Sequence, residues 1–382
     1  MTASTSPPPN PHSNQPAATD LTTLVLQGGG ALGAYQAGVY EALAAAGWAP
    51  DWVAGISIGA INAALIAGNP PEHRVARLRA FWDLASSRLT APAPAGDGPL
   101  RRLFSESAAA IAATTGVPGF FAPRFPPPAL ASAGTLGAIS LYDTAPLERT
   151  LDRLVDFGLI NAGAVRFSVG AVHVLTGNFA YFDNATYARP ITARHVMASG
   201  ALPPGFPPIE IDGEPYWDGG LVSNTPLQYV LDAGTGRDNT IFQVDLFSAR
   251  GAMPRTLGEV AQREKDIRFS SRTRLNTDDA KRIKRLSDAL RRLAARLPSE
   301  LAGDPDLALL MAAAEPPGAV TIMHLINKAE RFETEAKDYE FSRATIDGHW
   351  EAGRADTERS LADPRWKARR RRHTGIATFD LA

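Results

Sequence analysis

The chain has 382 residues, 45% of them hydrophobic and 21% charged, which is enough for one large or two medium domains with a sizeable core. A formal net charge of −1 gives no global attraction to nucleic acid. The absence of cysteine removes disulfides, thiol catalysis and cysteine-ligated metals, and it suits a reducing compartment such as the cytoplasm.

In chain order, the first twenty residues are rich in Ser, Thr, Pro and Asn and carry no Lys or Arg. They read as a flexible tail and not as a secretory signal. Leu24-Val25-Leu26 is a short apolar strand ending in Gly28-Gly29-Gly30, and helical periodicity runs from Ala34 to Ala46, closed by Gly47. Val53 and Ala54 start a second strand, and His73 to Leu84 has a helical pattern. This β-α-β-α order predicts a parallel sheet with helices on its faces. The longest uncharged apolar stretch, Val53 to Gly68, has 16 residues and includes Asn62. A spanning helix needs about 20 apolar residues, so the stretch reads as a buried strand and helix.

From Ala91 to Gly137 the texture turns to Pro, Gly and Ala, which reads as an insertion or lid. At its centre, Phe120, Phe121 and Phe125 fit an acyl-binding or bilayer-inserting surface, or equally aromatic anchors for a long loop. Asp143 or Thr144 can cap a helix with Leu147, Leu151 and Leu154 on one face. Arg166 to Asp183 alternates as two strands broken at Thr176-Gly177-Asn178, and Ile209 to Trp217 reads as a hairpin turning at Asp212-Gly213. Thr240 to Phe247 is a further buried strand.

Beyond about residue 250 the chain is charged and helical. Ile283, Leu286, Leu290, Leu293 and Leu297 form a narrow apolar stripe, expected to dock on the main domain or another subunit, with an anionic membrane as the alternative. Between Arg263 and Arg296 twelve Lys/Arg stand against five Asp/Glu. Arg365 to Arg372 holds six basic residues, a solvated tail or a contact for anionic lipid.

Three motifs carry chemistry. Gly28-Gly29-Gly30-Ala31-Leu32-Gly33 joins a strand to a helix, where unpaired N–H groups and the helix dipole can stabilise an anion. The anion is either an oxyanion or, on a G-x-G-x-x-G reading, a dinucleotide pyrophosphate. The dinucleotide reading wants an acid ending the second strand, whereas Asp51 precedes it. Gly55-Ile56-Ser57-Ile58-Gly59 fits a strand-to-helix elbow that exposes a nucleophilic hydroxyl, although Ser57 also suits a helix N-cap. Asp218-Gly219-Gly220 follows a strand, where α/β sheets place their sites, although such a tripeptide also makes an ordinary turn. A serine nucleophile needs a base. Among the seven histidines, His324 and His349 follow Asp218 and could complete a Ser…Asp…His order, but neither has flanking residues that mark a catalytic loop.

These motifs, in this order, resemble the patatin-like phospholipases over roughly residues 22 to 230, and Ala198 to Pro208 is similar to that family's small-residue and proline segment. The resemblance implies a three-layer α/β/α sandwich with a mainly parallel central sheet. It implies a serine–aspartate dyad without histidine: Ser57 as nucleophile, Asp218 as base, and an oxyanion hole drawn from Gly28, Gly29, Gly30 and Gly33. Gly55, Gly59, Gly219 and Gly220 would support the motifs. The implied organisation is a tail over 1–20, a catalytic domain over 22–230 with the lid-like insertion 91–137, and a remainder over 231–382 holding a last core strand and a basic helical extension like that of one bacterial subgroup.

The activity so implied is cleavage of carboxylic esters in (phospho)lipids, with no cofactor, metal or nucleic-acid partner. Oligomeric state is left open, as is peripheral contact of the basic helices with the inner face of the membrane. Thioesters, acylglycerols, a storage polyester and a non-catalytic lipid-binding module remain open alternatives. One departure bears on substrate: many members place Arg or Lys where this chain has Leu32, which weakens the phospholipid assignment more than the hydrolase one.

Overall fold

A computed structural model describes residues 20–270, 273–298, 301, 303–314, 318–328, 333–369 and 375–381. The segment read as a tail lies, up to residue 19, outside the described residues. The strands, in chain order, are β1 (Leu21–Leu26), β2 (Trp52–Gly55), β3 (Ala122–Pro123), β4 (Tyr142–Asp143), β5 (Arg166–His173), β6 (Phe179–Asp183), β7 (Ile209–Ile211), β8 (Glu214–Asp218), β9 (Asn239–Asp245), β10 (Val320–Ile326) and β11 (Ile376–Asp380). Nine of them form one sheet in the order β11-β10-β9-β1-β2-β5-β8-β7, with β6 also on β5. From β11 through β5 every pairing is parallel, and β6, β7 and β8 pair antiparallel. β10 and β11 were not anticipated, because the surrounding charged sequence masks two short strands.

Alternation along the central strands divides the interior. Leu24, Leu26, Val53, Phe242, Val244, Met323 and Leu325 face one core, which holds the helices Ala34–Ala45, Ile58–Ala67, Pro71–Ala85 and Arg343–Ala362. Val25, Trp52, Ala54, Ile241 and Ile322 face a second, smaller core with Leu227, Val230, Ala280 and Ile376. Two buried faces make a three-layer α/β/α sandwich. The late helix Arg343–Ala362 crosses Ala34–Ala45 at glycines: a Cβ on Gly38 would lie 1.8 Å from the Trp350 carbonyl oxygen, and one on Gly353 2.1 Å from that of Tyr35. The Tyr35 hydroxyl donates to Asp356 at 2.9 Å across the same crossing.

The sheet register does the positioning. Ser168 of β5 pairs with both β2 and β6, and Ala171 with both β6 and β8. A strand has two edges, so β2 and β8 share the edge opposite β6, the two strands ending next to each other. Gly55 stands opposite Val169 and Asp218 opposite Ala171. The chain two residues past Gly55 is therefore level with Asp218.

Three sequence expectations change. The stretch 91–137 contains a helix, Pro99–Thr115, started by Pro99 in its first turn and ended at Gly116 with φ 77°. Phe120 and Phe121 are buried, whereas Phe125 is 95% exposed. The helix Thr273–Ala294 does not dock through its apolar stripe: Ile283, Leu286 and Leu293 are exposed, while Ala280, Lys284, Ser287 and Asp288 are buried. Its buried face is largely polar, and beside it Lys281 donates to the Thr378 hydroxyl at 3.2 Å. In the last basic cluster, Arg369 is partly buried with its guanidinium 3.9 Å over the Trp366 ring, and residues 370–372 lie outside the described residues.

Candidate active site

At the carboxyl end of β2 the chain turns through Ser57 with φ 55° and ψ −123° into the helix Ile58–Ala67. A positive φ on a serine stores backbone strain. The elbow is held by close approach, since a Cβ on Gly59 would lie 2.3 Å from the Leu26 carbonyl oxygen, and one on Gly55 2.3 Å from that of Gly59. The Ser57 N–H donates to the carbonyl and the hydroxyl of Ser199, at 3.0 and 3.1 Å. The Ser57 side chain makes no capping bond, so the N-cap reading fails and the hydroxyl is left for other work.

Ser57 and Asp218 line the same pocket, and the Ser57 side chain favours the ionised form of the Asp218 carboxyl. Asp218 ends β8, is 2% exposed, and accepts from the Gly220 N–H at 2.7 Å. Burial pushes its carboxyl up to about 7 from an ordinary 3.8, and the Gly220 N–H and the Ser57 side chain offset part of that rise.

The glycine loop lies beside both. Gly28 is bound to Asn224 in both directions: its N–H donates to the Asn224 carbonyl at 3.2 Å, and its carbonyl accepts from the Asn224 amide at 3.0 Å. Gly33 sits inside the turn against Ile58. Gly29 and Gly30 open the helical turn and line the pocket. Gly30 has φ 55°, and the Asp338 carbonyl oxygen would be 2.2 Å from a Cβ there. Polar side chains brace the loop from below. Gln27 accepts from the N–H groups of Leu246 and Phe247, Gln36 donates to the Gln27 carbonyl, and Asn62 donates to that of Gly33. Leu32 is fully buried.

Ser57, Asp218, Gly28, Gly29, Gly30 and Gly220 thus line one pocket, while Gly33, Gly55, Gly59 and Gly219 support it from outside the lining. Among the described residues no histidine lines it. His349 lies buried elsewhere, beside Glu333 and Lys337, and burial lowers it to about 4. His195 is tied to Thr192, and His324 pairs within the sheet. Asp51 accepts from the Thr22 N–H at the amino end of β2, away from the glycine loop, which removes the acid that a dinucleotide site requires.

Several pocket residues carried no signal in the sequence. Asn224 is one. Asp338, Tyr339 and Phe341 are others, brought in by a segment more than a hundred residues beyond Asp218. Lys265 clamps that segment by pairing with Asp338 at 2.5 Å and donating to the Glu335 carbonyl at 2.7 Å. Burial raises the Asp338 carboxyl, and Lys265 partly offsets the rise.

The fold and site define an α/β protein with a serine elbow, a buried aspartate and a glycine loop that line one pocket. A sequence model described as patatin-like phospholipase matches residues 24–231, and a second, described as patatin phospholipase, matches residues 267–373. The first spans more than half of the chain, which belongs to the patatin-like phospholipase family. Among solved structures, VipD from Legionella pneumophila is 13% identical with a TM-score of 0.39, over 91% of this chain and 67% of that one. No curated protein matches. Family membership makes the chain a lipid hydrolase at the general level.

Proposed function

We propose that the protein is a serine lipid acyl hydrolase working through Ser57 and Asp218. The supporting observation is a buried carboxylate that lines one pocket with a serine on a strained elbow and with Gly29 and Gly30 of the glycine loop. Ser57 Oγ attacks the ester carbonyl carbon and its proton passes to Asp218. The carbonyl oxygen becomes an oxyanion held by the Gly29 and Gly30 N–H groups. Collapse breaks the ester C–O bond, and the leaving alkoxide takes the proton back from Asp218. Water then attacks the acyl-enzyme, gives its proton to Asp218, and releases the acid as the proton returns to Ser57. An ordinary aspartate is too weak a base for this step, and burial raises its proton affinity toward the useful range. A fluorophosphonate probe should label the full-length protein at Ser57 and leave Ser57→Ala unlabelled. An unlabelled wild-type protein overturns the reading.

Access to lipid would come through the helix Thr273–Ala294, whose exposed Ile283, Leu286 and Leu293 stand among Arg282, Arg285 and Arg292. Among the described residues no helix is long and apolar enough to cross a membrane, so contact would be peripheral. Co-sedimentation with phosphatidylglycerol vesicles is expected, and Leu286→Glu with Leu293→Glu should weaken it about tenfold or more. Unchanged binding by that double variant would discard the surface.

A further inference from the structure

We infer that Lys265 is a positioning residue for the glycine loop: through Asp338 it holds the segment 333–341 against Gly30, on the side of the pocket where the oxyanion would form. The inference rests on the hydrolase reading above, in which Gly29 and Gly30 stabilise that oxyanion. Three glycines in a row give the loop little stiffness of its own, so its shape must come from what packs on it. A Cβ on Gly29 would lie 2.8 Å from Leu246, and one on Gly30 2.2 Å from the Asp338 carbonyl oxygen. The turn therefore packs on the residue that follows β9 and on Asp338.

Two crossed ion pairs hold Asp338 in place. Lys265 and Asp266 are neighbours on the helix Leu257–Phe269, and Lys337 and Asp338 are neighbours on the segment 333–341. Lys265 Nζ meets the Asp338 carboxylate at 2.5 Å, and Lys337 Nζ meets that of Asp266 at 2.8 Å. Lys265 also donates to the Glu335 carbonyl at 2.7 Å, so one ammonium grips the segment at two points. Each ammonium stands near a ring of the pocket wall: Lys265 is 5.6 Å from the Tyr339 ring centre, and Lys337 5.4 Å from that of Phe247. Only the first pair includes the residue that touches the glycine loop. Its side chains are 21% and 14% exposed, so water screens it little. Without the ammonium, a largely buried carboxylate loses its counter-charge and must take up a proton or turn toward water. The tie from the helix to Glu335 and Asp338 is then gone, and the carbonyl that packs on Gly30 is free to shift.

Misplacing an oxyanion donor by about 1 Å costs up to about a hundredfold in rate, and the loss falls on kcat because the charge develops only in the transition state. The test is kcat and KM of the full-length enzyme on p-nitrophenyl butyrate, counted per active site by fluorophosphonate titration taken to completion. Lys265→Met is expected to lower kcat about ten- to a hundredfold with KM within about twofold, and Lys265→Arg to recover most of the loss. If Lys265→Met does not fold, Lys265→Gln, which drops the charge and can still donate to the Glu335 carbonyl, makes the same comparison. A merely structural pair would lower the denaturation midpoint and leave kcat per titrated site at the wild-type value. That result overturns the positioning role and leaves the hydrolase standing. A wild-type protein that neither hydrolyses the ester nor is labelled at Ser57 overturns both.

Discussion

Asp218→Asn is expected to lower ester hydrolysis by about 10³–10⁴-fold and, at alkaline pH, to make the protein more stable. The loss follows from chemistry: an amide occupies the same volume and still accepts from the Gly220 N–H, but it cannot take the Ser57 proton. The gain follows from burial. Asp218 is held at about 7 against an ordinary 3.8, so between those values the folded chain binds more protons than the unfolded one. Stability then falls as pH rises, since its slope follows the protons bound unfolded minus those bound folded, here a negative number. Above pH of about 7 the full penalty applies, at most about 4 kcal/mol for a shift of some three units. Thermal denaturation should show the Asp218→Asn variant outlasting wild type near pH of about 8, with the difference shrinking near pH of about 4 as the wild-type carboxyl protonates in both states. An Asp218→Asn enzyme with wild-type turnover removes the aspartate from the mechanism. A purely structural aspartate would instead leave turnover of the folded fraction intact.

The second large effect is on pH dependence. The base must be ionised, so log kcat/KM on a neutral ester is expected to rise with unit slope and level off above about pH 7. Activity at about pH 5 would then be roughly a hundredfold below the plateau. An aspartate in water, with a pKa near 3.9, would already be on its plateau at pH of about 5. Stopped-flow acylation with p-nitrophenyl butyrate measures the profile free of the deacylation step. A flat profile between about pH 5 and 8 would falsify the buried base. Since a histidine would titrate in the same range, the pairing of this profile with the Asp218→Asn loss is what separates the two. The positions of His195, His324 and His349 away from the pocket favour the aspartate.

Much of the site was legible because its signals are local. Gly55-Ile56-Ser57-Ile58-Gly59 marks a turn whose backbone demands small neighbours, and the register places that turn level with Asp218. The Asp212-Gly213 turn was readable for the same reason, since both residues take positive φ, as a two-residue hairpin turn requires. The helix Pro99–Thr115 was missed although its Pro start and Gly stop were visible, because the Pro- and Gly-rich sequence on either side of it reads as loop. The apolar stripe of Thr273–Ala294 was legible as a stripe but not as an exposed one. Periodicity shows which residues share a face and says nothing about what the face meets.

The division follows the range of the forces. By itself the sequence determined the elbow at Ser57, the glycine turn at Gly28–Gly33, the Asp-Gly-Gly turn and the α/β class, since each depends on backbone conformations and periodicities within about ten residues. The tertiary structure alone decided that β8 continues the edge of β5 beyond β2, that Asn224 grips Gly28, and that Asp338, Tyr339 and Phe341 return to close the pocket. It also decided that Asp218 is dry. Desolvation is set by everything packed around a group, from every part of the chain, and the raised proton affinity of that carboxyl depends on it.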